Sequence, residues 1–577
     1  MDNKEIAIIF FKIADALEVK GENVFRVRAY RTAAQNVLGL ARQLSDVYKE
    51  DPAKLENIPG IGKDLKEKII EMVTTSHLEF FTRLMKEFPA GFLDLLDIAG
   101  LGPKKVKKLS DELGVKNVND LEKVCRQGKV AKLEGMGEKS QGKILEAIEH
   151  FKKSEGRMLL PEADSCAEEV IAYLKESKNF QKIEKAGSLR RGKETIGDID
   201  ILATVKDVKK AMDHFVSYPK TEQVIAKGET KSSISLRNGP QVDLRIIDEG
   251  CFGAALVYFT GSKEHNIKIR LIAKNKDLKI SEYGVFSIGK SGKETFVAGK
   301  TEEELYKKLG MEWIPPELRE SSGEIEAAMA GSLPKNLIEL KDIRGDLHLH
   351  TVNTDGRATV EELVELAEEK GYEYIAITDH SKLVRVANGM DEKRLLEAVD
   401  KIRKKAAKVK KLKILAGVEV DILESGELDL KDYALKELDI VIAAVHSHFS
   451  LDKEKQTARI LKALDNKFVS ILAHPSGRLI TRRSALQLDF TKVFEKAVQN
   501  NIFLEINTHG ERIDLNDVNC RLAKEKGARF VINTDAHDAS QMGLLKYGII
   551  TARRGWLEKS DVLNTYTYEK VVKALKK

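Results

Sequence analysis

Cysteine is scarce in this chain. Its 577 residues include four, Cys125, Cys166, Cys251 and Cys520, scattered and without a C-x-x-C pair. That excludes a disulfide framework and a cysteine zinc finger, and fits a reducing, cytoplasmic setting. Long apolar runs are also missing. None approaches the roughly 18 residues of a membrane-spanning helix, so no membrane partner is expected. The short run Ile6–Phe11 lies between acidic and basic residues and lacks the shape of a signal peptide. Ile6, Phe10, Ile13 and Leu17 keep helical spacing and predict an amphipathic first helix. Nor is there a large excess of one charge. A net +6 permits nucleic-acid binding without demanding it, so a local basic surface matters more than the sum. With 33% charged and 42% hydrophobic residues the composition is that of an ordinary globular protein. The length implies roughly three to four domains; a monomer is the default expectation.

What is present centres on residues 187–200, Gly-Ser-Leu-Arg-Arg-Gly-Lys-Glu-Thr-Ile-Gly-Asp-Ile-Asp. The following Ile201, Leu202 and Ala203 are strand-like, which puts Asp198 and Asp200 on one face. Paired carboxylates suit hard divalent cations. Gly187 and Ser188 supply a turn, backbone N–H groups and a hydroxyl; Arg190 and Arg191 add guanidinium donors. A phosphate chain held beside metals predicts phosphoryl transfer. Downstream, Gln241-Val-Asp-Leu-Arg-Ile-Ile alternates so that Asp243 faces away from Val242, Leu244 and Ile246 and can join as a third carboxylate. Three carboxylates can hold two Mg²⁺. Tyr258-Phe-Thr-Gly-Ser-Lys-Glu-His-Asn-Ile-Lys-Ile-Arg270 follows. Its aromatic pair beside Gly261 can pack on a sugar, and Asn266 and Arg270, at i, i+4, can reach base edges in a minor groove.

Upstream, three segments share an apolar-x-Gly-apolar-Gly pattern: Ile58-Pro-Gly60-Ile-Gly62, Ile98-Ala-Gly100-Leu-Gly102 and Leu133-Glu-Gly135-Met-Gly137. Each precedes a helical, Lys-rich stretch. The glycines allow a tight hairpin whose N–H groups, beside a helix N-terminus, can hold a DNA phosphate. The pattern resembles the helix-hairpin-helix motif, which grips DNA backbone without reading sequence. Lys68, inside the helix after the first hairpin, is either a solvated lysine or a Schiff-base amine for an abasic sugar.

Eight of the twelve histidines fall between His348 and His537. They accompany seven short apolar runs, at 346–350, 374–378, 414–418, 441–445, 468–473, 502–506 and 530–533, with helical stretches between. That rhythm predicts a parallel α/β barrel. Most runs end in a potential metal ligand: His348, His350, Asp355, His380, Glu419, His446, His474, Asp535 and His537. Barrel sites sit at C-terminal strand ends, so these nine would converge. Mixed histidine and carboxylate ligands suit Zn²⁺ or Mn²⁺, up to three ions with Glu419 bridging, and predict metal-assisted hydrolysis of a phosphoester.

Together these motifs resemble the bacterial and archaeal family X DNA polymerases, the family of DNA polymerase beta, with a C-terminal PHP (polymerase and histidinol phosphatase) domain. The implied fold is multidomain: a helical helix-hairpin-helix module over 1–155, an α+β nucleotidyltransferase palm with thumb-like subdomains over 156–319 and a seven-stranded α/β PHP barrel over 343–577, while the polar and turn residues of 320–342, Glu320-Ser-Ser-Gly and Gly331-Ser-Leu-Pro, with few apolar anchors, predict a linker between the two enzymes. The resemblance implies that Asp198, Asp200 and Asp243 are catalytic metal ligands. It implies that Arg157, Gly187, Ser188, Arg191 and Gly197 hold the triphosphate, and that Tyr258, Phe259 and Gly261 line the sugar pocket. Asn266 and Arg270 would contact the nascent pair and template, and Glu282 matches a residue linked to subdomain closure. Lys68 and Tyr30 match lyase positions. Phe25 and Arg26, however, replace a histidine and a lysine of that pocket, Lys263 replaces an acid near the incoming base, and Ile196 replaces a serine. The motifs Asp-Leu-His-Leu-His, Thr-Asp-His380, Gly-Val-Glu419, Val-His446-Ser-His, Ala-His474-Pro and Thr-Asp535-Ala-His537 stand complete and in order, which implies an active nuclease; His448 and His509 match no ligand position. The implied enzyme fills gaps in gapped or nicked DNA with dNTPs. It trims or cleans 3′ ends as a 3′–5′ exonuclease, 3′-phosphatase or abasic-site endonuclease. Alternatives are a polymerase whose PHP domain is a metal-stapled scaffold, a non-templated nucleotidyltransferase, or a DNA-binding tether without catalysis. The nine ligands, the hairpins with Tyr258–Arg270, and the carboxylate triad respectively argue against them.

Overall fold

Ile6, Phe10, Ile13 and Leu17 lie buried along one face of the first helix, Asn3–Lys20, as their spacing predicts. The computed structural model describes every residue except Asp2, Gly39, Ala41, Ala90, Ala99, Glu155, Asn238 and Lys577. Ala99, inside the second hairpin motif, and Glu155 and Lys577, the expected ends of two segments, therefore lie outside the described residues. The chain forms two compact units, one dominated by residues 1–155, the other made of 156–480 and 485–577.

The first unit is helical. Its three Gly motifs fold alike. In each, the fourth residue's N–H closes a turn on the first residue's carbonyl: Ile61 on Ile58, Leu101 on Ile98, Met136 on Leu133. Gly60, Gly100 and Gly135 take φ of +78°, +85° and +79°, a region that penalises a Cβ. Gly62 and Gly102 then serve as N-caps of the helices Lys63–Thr75 and Pro103–Leu113. The apolar residues of each motif face inward, and burying such a side chain contributes roughly 1.5–3 kcal/mol.

In the second unit a five-stranded sheet contains β1 (Phe180–Lys185), β2 (Asp198–Val205), β3 (Thr221–Lys227), β4 (Lys231–Leu236) and β5 (Gln241–Ile246), in the order β1-β2-β5-β4-β3. Only β2 and β5 are parallel. Ile199, Ile201 and Ala203 of β2 pack with Val242 and Leu244 against the helices Leu160–Glu176 and Val208–Val216. Asp198 and Asp200 necessarily take the other face. Next come the helices Phe252–Thr260 and Lys263–Lys274, an antiparallel sheet of β6 (Leu278–Ser281), β7 (Gly284–Ile288) and β8 (Glu294–Ala298), and the helix Glu302–Leu309.

Residues 320–342 are not the polar tether that their composition predicts. Glu324 is buried and bonded to His265 at 2.7 Å, and Ile325 and Ala328 belong to the core formed with Leu305 and Tyr306. Glu320 accepts from Arg191. The segment looks solvated only because its partners lie far away in sequence.

The remainder is a nearly closed parallel barrel. Its strands are β9 (Gly345–Leu349), β10 (Tyr374–Ile377), β11 (Lys413–Asp421), β12 (Ile440–Ala444), β13 (Ile471–Leu472), β14 (Phe503–Asn507) and β15 (Phe530–Asn533), hydrogen-bonded in sequence order. A parallel bridge between Leu349 and Ala536 brings the first and last strands together. Strands covered on both faces carry nearly continuous apolar runs, which is why all seven were readable.

Candidate active sites

The palm centre is built by register. Asp200 and Asp243 are direct partners on the parallel strands β2 and β5, and Asp198 precedes on the same face. Burial first, then the charges of Asp198 and Asp243, push the Asp200 carboxyl up to about 6. Burial would raise Asp243 too, but hydrogen bonds from Lys231, Gln241 and Ser233 outweigh it and hold it below its usual range. Lys231 Nζ lies 2.5 Å from Asp243 Oδ2. Gly187, at φ +60°, leads into the short helix Gly187–Arg190; a Cβ on it would sit 2.4 Å from Asp200 Oδ2, so the loop presses on the carboxylates.

Arg157 donates to the Thr195 hydroxyl at 2.9 Å and lies over Gly197. Arg191 donates through Nε to Glu320 at 3.0 Å and through Nη1 to the carbonyl of Thr260, beside Gly261. Tyr258 and Phe259 meet edge to face, with centroids 5.0 Å apart. The Asn266 amide donates to the Tyr258 carbonyl at 2.7 Å, and Arg270 Nε donates to the Asn266 carbonyl one turn back at 3.1 Å. Arg191 thus ties the loop before β2 to the Thr260–Gly261 turn, while Tyr258, Asn266 and Arg270 are linked to one another.

In the barrel, His348 and Glu419 project from β9 and β11, while His350, His380, His446, His474, Asp535 and His537 follow strand ends. Three ligand groups emerge: His350, Asp355, His380 and His537; His348, His350, Glu419 and Asp535; and His380, Glu419 and His446. They share His350, His380 and Glu419, so the three positions adjoin. His474, the ninth expected ligand, lies outside these groups but reaches Glu419 Oε1 at 2.9 Å. His474 and Asp535 take φ of +28° and +52°, strain that a metal-ligating role would explain. Burial would raise Glu419, but His446, His380 and His348 hold it well below the usual carboxylate range.

Both sites fit divalent cations in donor type. In the barrel, among the described residues, buried Nε2 of His348, both ring nitrogens of His350 and Oδ1 of Asp535 make no well-aligned hydrogen bond, although His350 Nε2 and Asp535 Oδ1 lie 3.0 Å apart, an arrangement that is costly without an ion.

The matching family descriptions are helix-hairpin-helix domain over 1–78, SAM-like helix-hairpin-helix tandem over 92–149, DNA polymerase beta palm over 157–236, DNA polymerase beta thumb over 255–320 and PHP domain over 346–509. The chain is 39% identical over 579 residues, covering all of both chains, to the DNA polymerase/3′-5′ exonuclease PolX of Bacillus subtilis (strain 168). The chain belongs to the family X DNA polymerases that carry a PHP domain. The chain is also similar to smaller proteins: a probable phosphatase of Thermoanaerobacter sp. (strain X514) is 31% identical over 232 residues, 38% of this chain and 89% of that protein. One of Acetivibrio thermocellus is 31% identical over 208 residues, 34% of this chain and 81% of that protein.

In the first unit, Tyr30 and Lys68 flank one ring, Phe80: Tyr30 stacks on it with centroids 6.3 Å apart, and Lys68 Nζ is 5.3 Å from its centre. Burial, then the Asp64 charge, pushes the Tyr30 hydroxyl up to about 12. Phe25 is largely exposed. His448 is exposed beside Glu424, whereas the His509 backbone N–H donates to Asn507 Oδ1 and the half-buried ring lies near Asp535 and Arg512.

Several residues of these sites gave no sequence signal. Glu302 accepts from both Arg190 and Arg319, at 2.7 and 2.8 Å, tying the loop to the thumb. Glu505 accepts from His348 Nδ1 at 2.7 Å and so turns Nε2 toward the ligand group. Lys231 pairs with Asp243. Glu302 and Glu505 are buried carboxylates that their own neighbours in sequence do not mark as buried, and only the Glu505 position, inside a predicted strand, could have flagged one of them.

Proposed function

We propose that this chain is a template-directed, gap-filling DNA polymerase of DNA repair whose PHP domain is a 3′–5′ exonuclease able to process damaged 3′ ends, with abasic-site endonuclease activity as a further outlet. The observation that carries the reading is that the register-aligned carboxylates Asp198, Asp200 and Asp243 and the barrel's clustered histidines and carboxylates lie on different sheets of one compact unit. The polymerase relative, aligned end to end, supports both halves.

In the palm, Asp198, Asp200 and Asp243 would hold two Mg²⁺, which supply charge for the attacking hydroxyl and the leaving pyrophosphate. Ser188, Arg191 and Arg157 would bind the triphosphate, with the Gly187 turn letting backbone approach it and Gly197 admitting Arg157. Tyr258 and Phe259 would pack on the dNTP sugar, while Asn266 and Arg270 face the base pair. The glycines of the three hairpins, Gly60, Gly62, Gly100, Gly102, Gly135 and Gly137, would let backbone N–H groups meet DNA phosphates. In the barrel, His348, His350, Asp355, His380, Glu419, His446, His474, Asp535 and His537 would hold up to three Mn²⁺ or Zn²⁺, which activate water and neutralise the scissile phosphate. Lys68 and Tyr30 are retained as the candidate lyase pair. The enzyme would act as a cytoplasmic monomer.

A gapped duplex of defined template base tests the polymerase half. Extension only by the complementary dNTP in Mg²⁺ is expected; equal incorporation of all four would favour a non-templated transferase. Loss of 3′ nucleotides in Mn²⁺ without dNTPs is expected, and its absence would leave the barrel a scaffold.

A further inference from the structure

The barrel helix Leu545–Arg554 ends against the palm. Arg554 is buried there. Its Nε and Nη2 donate to Asp517 Oδ2 at 2.9 and 2.5 Å. Its Nη1 donates to the backbone carbonyl of Arg191 at 2.6 Å and to Glu320 Oε1 at 3.1 Å. The same Glu320 oxygen accepts from Arg191 Nε. One barrel arginine therefore holds both the main chain of Arg191 and the carboxylate that orients its guanidinium.

A second contact is independent of these charges. Gly192, the next residue, takes φ +64°, and a Cβ on it would fall 2.0 Å from Ile550 Cγ2 of the same barrel helix. Farther along, Arg478 donates to Glu194 at 2.6 Å, and Ile480, Ile513 and Tyr547 share a core with Leu189 and Ile196. The barrel thus forms one wall of the loop that carries Ser188, Arg191 and Gly197.

We propose that Arg554 is a positioning residue of the polymerase site: acting through Glu320 and the Arg191 main chain, it holds the Arg191 guanidinium where the triphosphate of the incoming nucleotide binds. The inference rests on the reading of Arg191 as a triphosphate ligand. An unrestrained arginine populates many rotamers, and fixing it beforehand lowers the cost of binding. The PHP barrel, besides its own chemistry, would then complete the nucleotide site of the palm. Arg554 lies among none of the proposed barrel ligands, so its loss leaves that chemistry in place.

The test uses the full-length chain on a one-nucleotide-gapped duplex. KM for the complementary dNTP and kcat are measured for wild type, Arg554→Ala, Arg554→Lys, Arg191→Ala and the Arg191→Ala, Arg554→Ala double variant. Degradation of a labelled single strand in Mn²⁺ is followed in the same preparations. Arg554→Ala is expected to raise the dNTP KM about tenfold with kcat changed less than about threefold and degradation within about twofold; Arg554→Lys recovers part of the KM. The double variant is expected to have the KM of Arg191→Ala alone, because Arg554 acts through Arg191. An unchanged KM in Arg554→Ala, or effects that multiply in the double variant, overturns the proposal. If Arg554→Ala loses both activities together, Glu320→Gln decides: a raised KM with degradation intact upholds it, an unchanged KM overturns it. Should Arg191→Ala itself leave KM unchanged, the assignment of Arg191 to the triphosphate is what fails, and the inference falls with it.

Discussion

Asp200 and Asp243 are register partners on adjacent parallel strands, yet their carboxyls shift in opposite directions, Asp200 up to about 6 and Asp243 down. Hydrogen bonds from Lys231, Gln241 and Ser233 outweigh burial at Asp243, whereas at Asp200 the charges of Arg245 and Lys231 do not offset burial and two like charges.

That asymmetry has a stability consequence. A carboxyl raised above its unfolded value adds stability below that value and loses it as pH rises through about 6, so ionised Asp200 weakens the metal-free protein at neutral pH. Asp200→Asn is expected to stabilise EDTA-treated protein at pH 7.5 by up to about 3 kcal/mol while abolishing extension. Denaturant melts with and without Mg²⁺ check this; a destabilised variant would contradict it.

Glu302 sits between Arg190 and Arg319. Burial opposes its charge, but the two arginines hold its carboxyl down at about 2. A depressed carboxyl contributes stability above its unfolded value and loses it as pH falls through about 2. Glu302→Gln is expected to cost about 3 kcal/mol at pH 7, with the deficit shrinking as pH falls below about 4.5. Urea melts at pH 7 and pH 4 measure it, and a pH-independent deficit would sink the explanation.

In the barrel, Glu505 fixes the ring of His348. Glu505→Gln is expected to weaken metal retention by about 10- to 100-fold while leaving the barrel folded. Competition with a chelating dye reads the affinity; unaltered retention would mean that His348 is not a ligand or that its orientation is set elsewhere.

At the second hairpin two neighbouring glycines should behave differently. Among the described residues, a Cβ on Gly102, at φ −100°, meets nothing within 4 Å. Gly102→Glu is expected to leave the melting temperature unchanged but to weaken DNA binding about tenfold and flatten its salt dependence. Gly100, at φ +85°, instead makes Gly100→Ala cost about 1 kcal/mol of stability. Equal effects of both variants on DNA binding and on melting would contradict the hairpin account.

The architecture was legible wherever local pattern and tertiary role coincide. Alternation put Asp198 and Asp200 on the solvent-facing side of β2, and fully covered parallel strands betrayed themselves as short apolar runs ending in His, Asp or Glu. The signal failed where charged residues are buried by distant partners. Glu324 meets His265 from 59 positions away, and Glu320 meets Arg191 from 129. A stretch rich in Glu, Ser and Gly therefore reads as a tether although it is packed into the thumb. Glu302 and Arg319 were hidden for the same reason: nothing near them in sequence marks a carboxylate shared by two arginines.

If one chain carries two separable active sites, each should be lost without the other. The most direct measurement follows a labelled one-nucleotide-gapped duplex with wild type, with Asp198→Ala plus Asp200→Ala, and with His348→Ala plus His350→Ala, each in Mg²⁺ with dNTPs and in Mn²⁺ without. The account predicts that extension disappears only in the first variant and 3′ degradation only in the second. Loss of both activities in either variant, or their survival in both, would contradict it.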